Sequence, residues 1–376
     1  MEEFRINKFI TLKLENGATV IYVNNEEFMQ CKALLINIPV EDRFITEDLN
    51  SIDDAAEVLI WSDNNETVME YKLSPELEFW GHCSNIQTWV EHDYDTKLMH
   101  SNLAFPLLKK LADAGDPKAK KNFKLEILRR FIEGSKITKE FLDENGYLDY
   151  LTEQDVRSAL PVEEVITLET LEEALKIKFQ YAKYLEAVEP GDWVDNYYYI
   201  EDYKIVGLKI RVPNMDTIPK AIGKLNNLKY LYLANNTLKF LPDSVADLEN
   251  LESLYLYYNQ LEEFPESFKK LKNLRYLDLS DNKLKGIPLF IKHLNFLEVL
   301  NLSNNQLEFI PDSFKNLRQL RNLDLSYNKL KNIPSVLLEI DSLQDLNIES
   351  NPIDYYPVKF GRLKRRDELN RYNKKN

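Results

Sequence analysis

Residues 274–284 read LRYLDLSDNKL and residues 297–307 read LEVLNLSNNQL, one frame displaced by 23 positions. The frame is LxxLxLxxNxL, and its asparagine recurs at Asn236, Asn259, Asn282, Asn305, Asn328 and Asn351. Self-similarity at a fixed period of this length marks a repeat architecture. A second series runs through the other half of each unit, at Pro219, Pro242, Pro265, Pro288, Pro311, Pro334 and Pro357, each after an apolar residue such as Ile218 or Phe264. Two elements therefore alternate. The LxL segment has period 2 and suits a short strand with its leucines turned inward. The stretch from Pro311 through Phe314 to Leu317 returns the chain along the other face. One unit cannot bury its leucines alone, whereas stacked units form a parallel concave sheet with a continuous leucine core behind it.

The recurring residues have physical work to do. A turn after each strand leaves backbone N–H and C=O groups inside, and a side-chain amide offers both a donor and an acceptor to pair them. Proline fixes φ near −65° where the chain reverses and no donor is needed. Moving the frame back by one period finds Ile205, Leu208, Ile210 and Met215, with Pro213 in the asparagine position, which reads as a degenerate first repeat. Forward of Asn351, Tyr356, Phe360 and Leu363 complete one more return segment before Lys364-Arg365-Arg366. A solenoid end must present a polar outer face, so residues 364–376 are expected to be a basic, helix-like cap.

These motifs resemble the leucine-rich-repeat family, in the 23-residue form found in Ras-associated scaffold proteins and plant intracellular Ras-group proteins. The resemblance covers residues 205–363, as seven repeats. It implies an α/β solenoid, a leucine-rich-repeat horseshoe segment with a parallel concave sheet. It also implies a mode of action, protein–protein interaction in a signalling adaptor or scaffold, without naming a partner.

Partner preference is written between and just after the strand leucines. Asp278, Ser280, Asp324 and Ser326 belong to the LDLS stretches that the family pattern supplies by default. The departures are six tyrosines on three adjacent repeats: Tyr230, Tyr232, Tyr255, Tyr257, Tyr258 and Tyr276. Strands roughly 4.8 Å apart would gather them into one patch, with Asp281 beside it. Tyrosine gives a large, rigid contact with a hydroxyl at low entropic cost, so the patch is the candidate partner site. Aromatics on a sheet also stack across strands, and that reading stays open.

The first 190 residues lack the 23-residue frame and are expected to form a separate α+β domain: mixed α+β over 1–97, helical over 98–190, then a linker at 191–204. Ile10–Glu15, Asn16-Gly17 and Ala18–Val23 form a hairpin signature. Another strand or buried helix is expected over Cys31–Pro39. Asp116-Pro117 supplies an N-cap and first helical residue, Gly134 follows that helix, and Asn145-Gly146, Thr152 and Thr167 mark breaks and caps. A long helix is expected over Leu168–Leu185, and Glu189-Pro190-Gly191-Asp192 as the link into the first repeat. This half resembles an uncharacterised domain preceding such repeats in archaeal proteins, through residues 28–39 and 100–110; no activity is implied.

His82, Cys83, His92 and His100 lie within 19 residues, but their spacing matches no closed zinc pattern, and nothing like an oxyanion motif accompanies Cys83. They are the only candidates for the competing reading, an enzyme or metal-dependent effector in residues 1–190 with the repeats selecting its substrate. Neither GxxxxGK[ST] nor GxGxxG occurs, so no nucleotide and no cofactor is expected. A formal charge of −14 argues against nucleic acid and favours a protein partner with a basic surface. With only Cys31 and Cys83, no disulfide framework exists; with no apolar h-region after Met1 and no long apolar run, a cytoplasmic location without a membrane span is expected.

Overall fold

The computed structural model describes residues 2–28, 74–99, 101–184, 196–332, 335–354 and 364–365. The expectations placed on Cys31–Pro39, His100, Glu189–Asp192, Ile333-Pro334 and Tyr356–Leu363 lie outside these. The chain forms two compact units, Met1–Leu151 and Thr152–Asn376.

The first unit opens with an antiparallel meander of β1 (Glu3–Arg5), β2 (Ile10–Glu15), β3 (Ala18–Val23) and β4 (Glu26–Phe28). Asn16 and Gly17 take φ of 53° and 78°, the left-handed pair that a two-residue hairpin turn requires. Ile10, Leu12, Ile21 and Val23 are buried, on the sheet side against which α1 (Pro75–Glu91) packs. Helix α1 precedes the stretch where the sequence pattern turns helical. Its start has a cap, Ser74, and a proline at the first turn, but Gly81 and the polar run His82-Cys83-Ser84-Asn85 blur its periodicity. Helices α2 (Ser101–Asp113), α3 (Pro117–Glu133) and α4 (Lys136–Glu144) follow. Asp116 caps α3 by accepting from the Lys118 and Ala119 amides, and Gly134 and Asn145 close α3 and α4 as read from the sequence. Phe105, Phe123, Tyr147 and Tyr150 pack edge-on between them.

The second unit is a solenoid whose ten-stranded sheet runs from β5 (Phe179–Tyr181) to β14 (Lys364–Arg365). From β7 (Lys204–Lys209) through β8 (Tyr230–Tyr232), β9 (Ser253–Tyr255), β10 (Tyr276–Asp278), β11 (Val299–Asn301), β12 (Asn322–Asp324) and β13 (Asp345–Asn347) all pairs are parallel and in register. Pro219, Pro242, Pro265, Pro288 and Pro311 each sit immediately before a five-residue 3₁₀ segment on the return side, with φ between −57° and −74°. Between sheet and return segments the leucines are fully buried, as at Leu277, Leu279 and Leu284.

The buried asparagines hold the turns. Asn282 donates to Leu256 O at 2.9 Å, Leu279 O at 3.1 Å and Ser280 O at 3.0 Å, while its Oδ1 accepts from Leu261 N at 3.0 Å. The pattern repeats from Asn236 to Asn351, so each asparagine bonds its own turn and the backbone of the preceding repeat.

The N-terminal end of this unit departs from the domain boundaries expected above. Residues 152–204 belong with the solenoid, and part of the supposed linker is a strand, β6 (Asn196–Glu201), antiparallel to β7. Asp202 and Tyr203 take φ of 45° and 60° in the intervening turn; tyrosine there conceals the hairpin from a search for Asn-Gly or Asp-Gly. Helix α5 (Glu153–Arg157) starts with the Thr152–Asp155 capping box. Helix α6 (Val162–Leu175) begins earlier than expected and ends at Lys176, whose φ is 56°; Thr167 lies inside it, donating to Glu163 O rather than capping. At the other end, Lys364–Arg365 form a strand beside β13, not the helix-like start of a cap.

Buried polar groups close the open first layer. Glu164 accepts from Ile205 N at 2.8 Å and Asn227 Nδ2 at 2.9 Å. Glu172 accepts from Arg157 at 2.7 Å, Lys178 at 2.9 Å and Phe179 N at 2.8 Å. Burial raises the Glu172 pKa, but those donors, Arg157 foremost, outweigh it and hold the carboxyl at about 2.

Two outcomes are expected. Asn282→Ala orphans several buried backbone groups and should cost about 3 kcal/mol in urea unfolding. Because the Glu172 carboxyl lies below its ordinary 4.5 when folded, its contribution is complete above that value and fades as pH falls toward 2. Glu172→Gln should therefore destabilise strongly at neutral pH, by about 3 kcal/mol, with the gap to wild type closing in acid.

Candidate functional site

The register places two rows of side chains on the concave face. One passes through Gly207, Tyr230, Ser253, Tyr276, Val299, Asn322 and Asp345; the other through Lys209, Tyr232, Tyr255, Asp278, Asn301, Asp324 and Asn347. Aromatic character thus gives way to carboxylates and amides along the solenoid.

Three of the six tyrosines predicted from sequence meet in a continuous stack. Tyr232 and Tyr255 lie with ring centroids 4.3 Å apart and planes 9° from parallel; Tyr255 and Tyr276 follow at 4.6 Å and 32°. Tyr232 is only 3 % exposed, packed with Ala182, Tyr199 and Val206, so it serves as a floor rather than a contact. Tyr197 and Tyr199 of β6 extend this aromatic layer; they were missed because their segment reads as linker. Tyr230 and Tyr255 are half-buried against the same cluster, and Tyr276 is half-buried too. Stacking thus engages Tyr232, Tyr255 and Tyr276, of which Tyr232 alone is buried, while Tyr255, Tyr257 and Tyr276 keep accessible surface.

Tyr258 is separate. It packs edge-on against Tyr257 at 5.9 Å, is 57 % exposed, and takes φ of 52°. The same left-handed position recurs at Asn235, Asp281, Asn304, Tyr327 and Ser350, one before each buried asparagine. Asparagine and aspartate tolerate it; tyrosine incurs the Cβ–carbonyl clash. Tyr258 and Tyr327, the latter 61 % exposed, are thus strained aromatic residues displayed on the rim. Asp281 lies on this rim, bonded to Asn304, and not among the concave rows.

Asp278 joins the two halves of the face. It is buried, its Oδ1 accepts from the Ser280 hydroxyl at 2.6 Å and amide at 2.9 Å, and its Oδ2 accepts from Asn301 at 3.2 Å. Burial pushes its pKa up, against those hydrogen bonds. Burial and then the Asp278 charge push the Tyr276 and Tyr257 phenols up, so both are neutral donors at physiological pH. One period-pair on, Asp324 repeats the arrangement with Ser326 and Asn347. Beyond Tyr276 a recess of about 520 Å³ is lined by Asn301, Asn322, Asp324, Asp345 and Asn347. The LDLS residues that sequence reading set aside are therefore rigid parts of the face: each aspartate or asparagine is pinned by the amide two residues on.

In the first unit, His82 lies in the middle of α1 and His92 at its C-cap, about 15 Å apart along the axis at 1.5 Å per residue. His82 is buried with neither ring nitrogen hydrogen-bonded, and burial lowers its pKa. Burial pushes the Cys83 thiol up to about 11, which disfavours the nucleophilic thiolate. The described members of the His/Cys group are not brought together around an ion.

A family model described as a leucine-rich repeat region matches residues 264–364, and a leucine rich repeat model matches residues 215–261. No curated protein matches. Among solved structures, a leucine-rich-repeat protein of Leptospira interrogans is 29 % identical over 48 % of this chain and 51 % of that one, with a TM-score of 0.41. An internalin of Listeria monocytogenes is 22 % identical over 45 % and 53 %, with a TM-score of 0.40. The repeat ectodomain of an Arabidopsis thaliana membrane receptor kinase, solved with a Casparian strip integrity factor, is 29 % identical over 44 % and 22 %, with a TM-score of 0.37. The chain spans about half the length of the Leptospira protein it matches.

Tyr258→Asn should relieve the left-handed strain and stabilise the protein by about 1 kcal/mol in thermal or urea melts. An unchanged or lowered stability would show that the Tyr257 contact compensates for the strain.

Proposed function

From its leucine-rich repeats we propose that this protein is a non-catalytic protein-interaction module, a cytoplasmic adaptor or scaffold that holds a protein partner on the concave face. The observation that carries this reading is the continuity of the tyrosine stack with a carboxylate-lined recess. Tyr276 ends the stack and lines the recess. Apolar contact area and rigid acceptors thus border each other, a pairing that suits a partner with a basic surface.

The division of labour follows from burial. Tyr232 stiffens the floor, Tyr255, Tyr257 and Tyr276 keep accessible surface, and Tyr258 stands exposed at the rim. Asp324 and Asp345 supply charge. Because Asp324 is held by Ser326 and Asn347, little side-chain entropy remains to be lost when a Lys or Arg docks. No helix of the described residues is long and apolar enough to cross a membrane. The signalling role rests on resemblance to intracellular scaffolds, and the location on the scarcity of cysteine.

The test is partner capture with wild type and with Tyr257→Ser/Tyr258→Ser/Tyr276→Ser, which spares the buried Tyr232. A specific partner should be retained by wild type and lost from the triple variant, with circular dichroism unchanged. Asp324→Asn/Asp345→Asn should weaken the same complex and flatten its salt dependence. Undiminished capture by both variants, with the fold intact, would overturn the assignment to this face.

A further inference from the structure

The turns that lead from return segment to strand carry a second asparagine series, distinct from the buried ladder. Asn250 donates to Asn226 O at 2.8 Å and Asn273 to Glu249 O at 2.9 Å, each reaching the preceding repeat. Ser342 does the same toward Leu320 O at 2.8 Å. In the two frames between stand Phe296 and Gln319, and among the described residues neither makes such a bond.

A recess of about 550 Å³ opens where the series is interrupted. It is lined by Lys292, His293 and Arg318, by the amides of Asn295, Asn316 and Gln319, and by Phe296. No carboxylate lines it, in a chain whose formal charge is −14. Among the described residues none of these polar side chains is committed to an ion pair or hydrogen bond. Phe296, in the place of a bridging asparagine, keeps 44 % of its surface exposed.

We propose that this recess binds a phosphate monoester carried on a flat ring. The two fixed cations, Lys292 and Arg318, match the charge of a phosphate monoester, about −1.5 to −2 at neutral pH. Arginine meets phosphate oxygens with two parallel N–H donors, and lysine meets them as a point charge. A carboxylate, with one charge and two oxygens, would leave a cation uncompensated and the amides idle. The three amides donate to what remains of the phosphate, and Phe296 offers its face to the ring that bears it. The size of the recess falls within that of small-molecule sites.

The probe is phenyl phosphate, titrated into the full chain by calorimetry, with inorganic phosphate, AMP and free phosphotyrosine as further arms. Saturable binding of phenyl phosphate is expected, tighter than that of inorganic phosphate. Lys292→Ala and Arg318→Ala should each weaken it by about tenfold. Phe296→Asn restores the bridging residue, aimed at Lys272 O by its frame, so it should leave thermal stability unchanged or raised while reducing phenyl phosphate to the level of inorganic phosphate. Preference for AMP identifies a nucleotide source, and preference for phosphotyrosine a modified protein; either supports the site. Absence of saturation at millimolar concentration overturns the proposal, as does affinity indifferent to Arg318→Ala and Lys292→Ala, or indifferent to Phe296→Asn.

Discussion

The side-chain amide of a buried asparagine is the constraint on which the repeat unit depends. A chain that turns once per short strand must take unpaired backbone groups into an apolar interior, at a cost of about 1–3 kcal/mol for each one left unmet. Asn282 meets four of them with a single side chain. With that bonding secured, leucines fill the space between sheet and return segments, and the in-register parallel sheet follows. The exposed faces are then released from structural duty, and residue types can change there without disturbing the stack.

Ends are where such a stack is weakest, because the first layer has no neighbour to satisfy it. Here the solution is acidic. Glu164 takes over the bonding of a missing repeat by accepting from Ile205 N and Asn227, and Glu172 gathers Arg157, Lys178 and the Phe179 amide into a buried knot. Strand β6, antiparallel to β7, and β5, parallel to β6, continue the sheet beyond the repeats. Burying such charges is costly, and several hydrogen bonds to each offset that cost.

What was legible in the sequence follows the same division. Leucine, asparagine and proline at fixed spacing specify the solenoid because each answers a repeating local need, and the degenerate first strand could be found by shifting the frame. The cap could not be read, since its means are nonperiodic: a carboxylate whose partners lie 41 and 63 residues away, and a turn with Tyr203 in a left-handed conformation. Of the six tyrosines, the register of the LxL strands fixes which repeat each belongs to, but which members are buried was not evident. Tyr232 is a floor because β6, two strands earlier in sequence, brings Tyr199 against it. Helix α1 was hidden by the polar run in its middle, where His82 and Cys83 are buried while Ser84 and Asn85 are exposed.

The buried ladder also has a direction. Leu238 N and Leu233 O find their partner in Asn259, and Leu261 N and Leu256 O find theirs in Asn282, so each repeat's backbone is completed by the one that follows it. The cap built by Glu164 and Glu172 stands at the earlier end of this stack. The leading edge of such a stack therefore always carries unmet amides and carbonyls, and each repeat that docks there pairs them with its own asparagine.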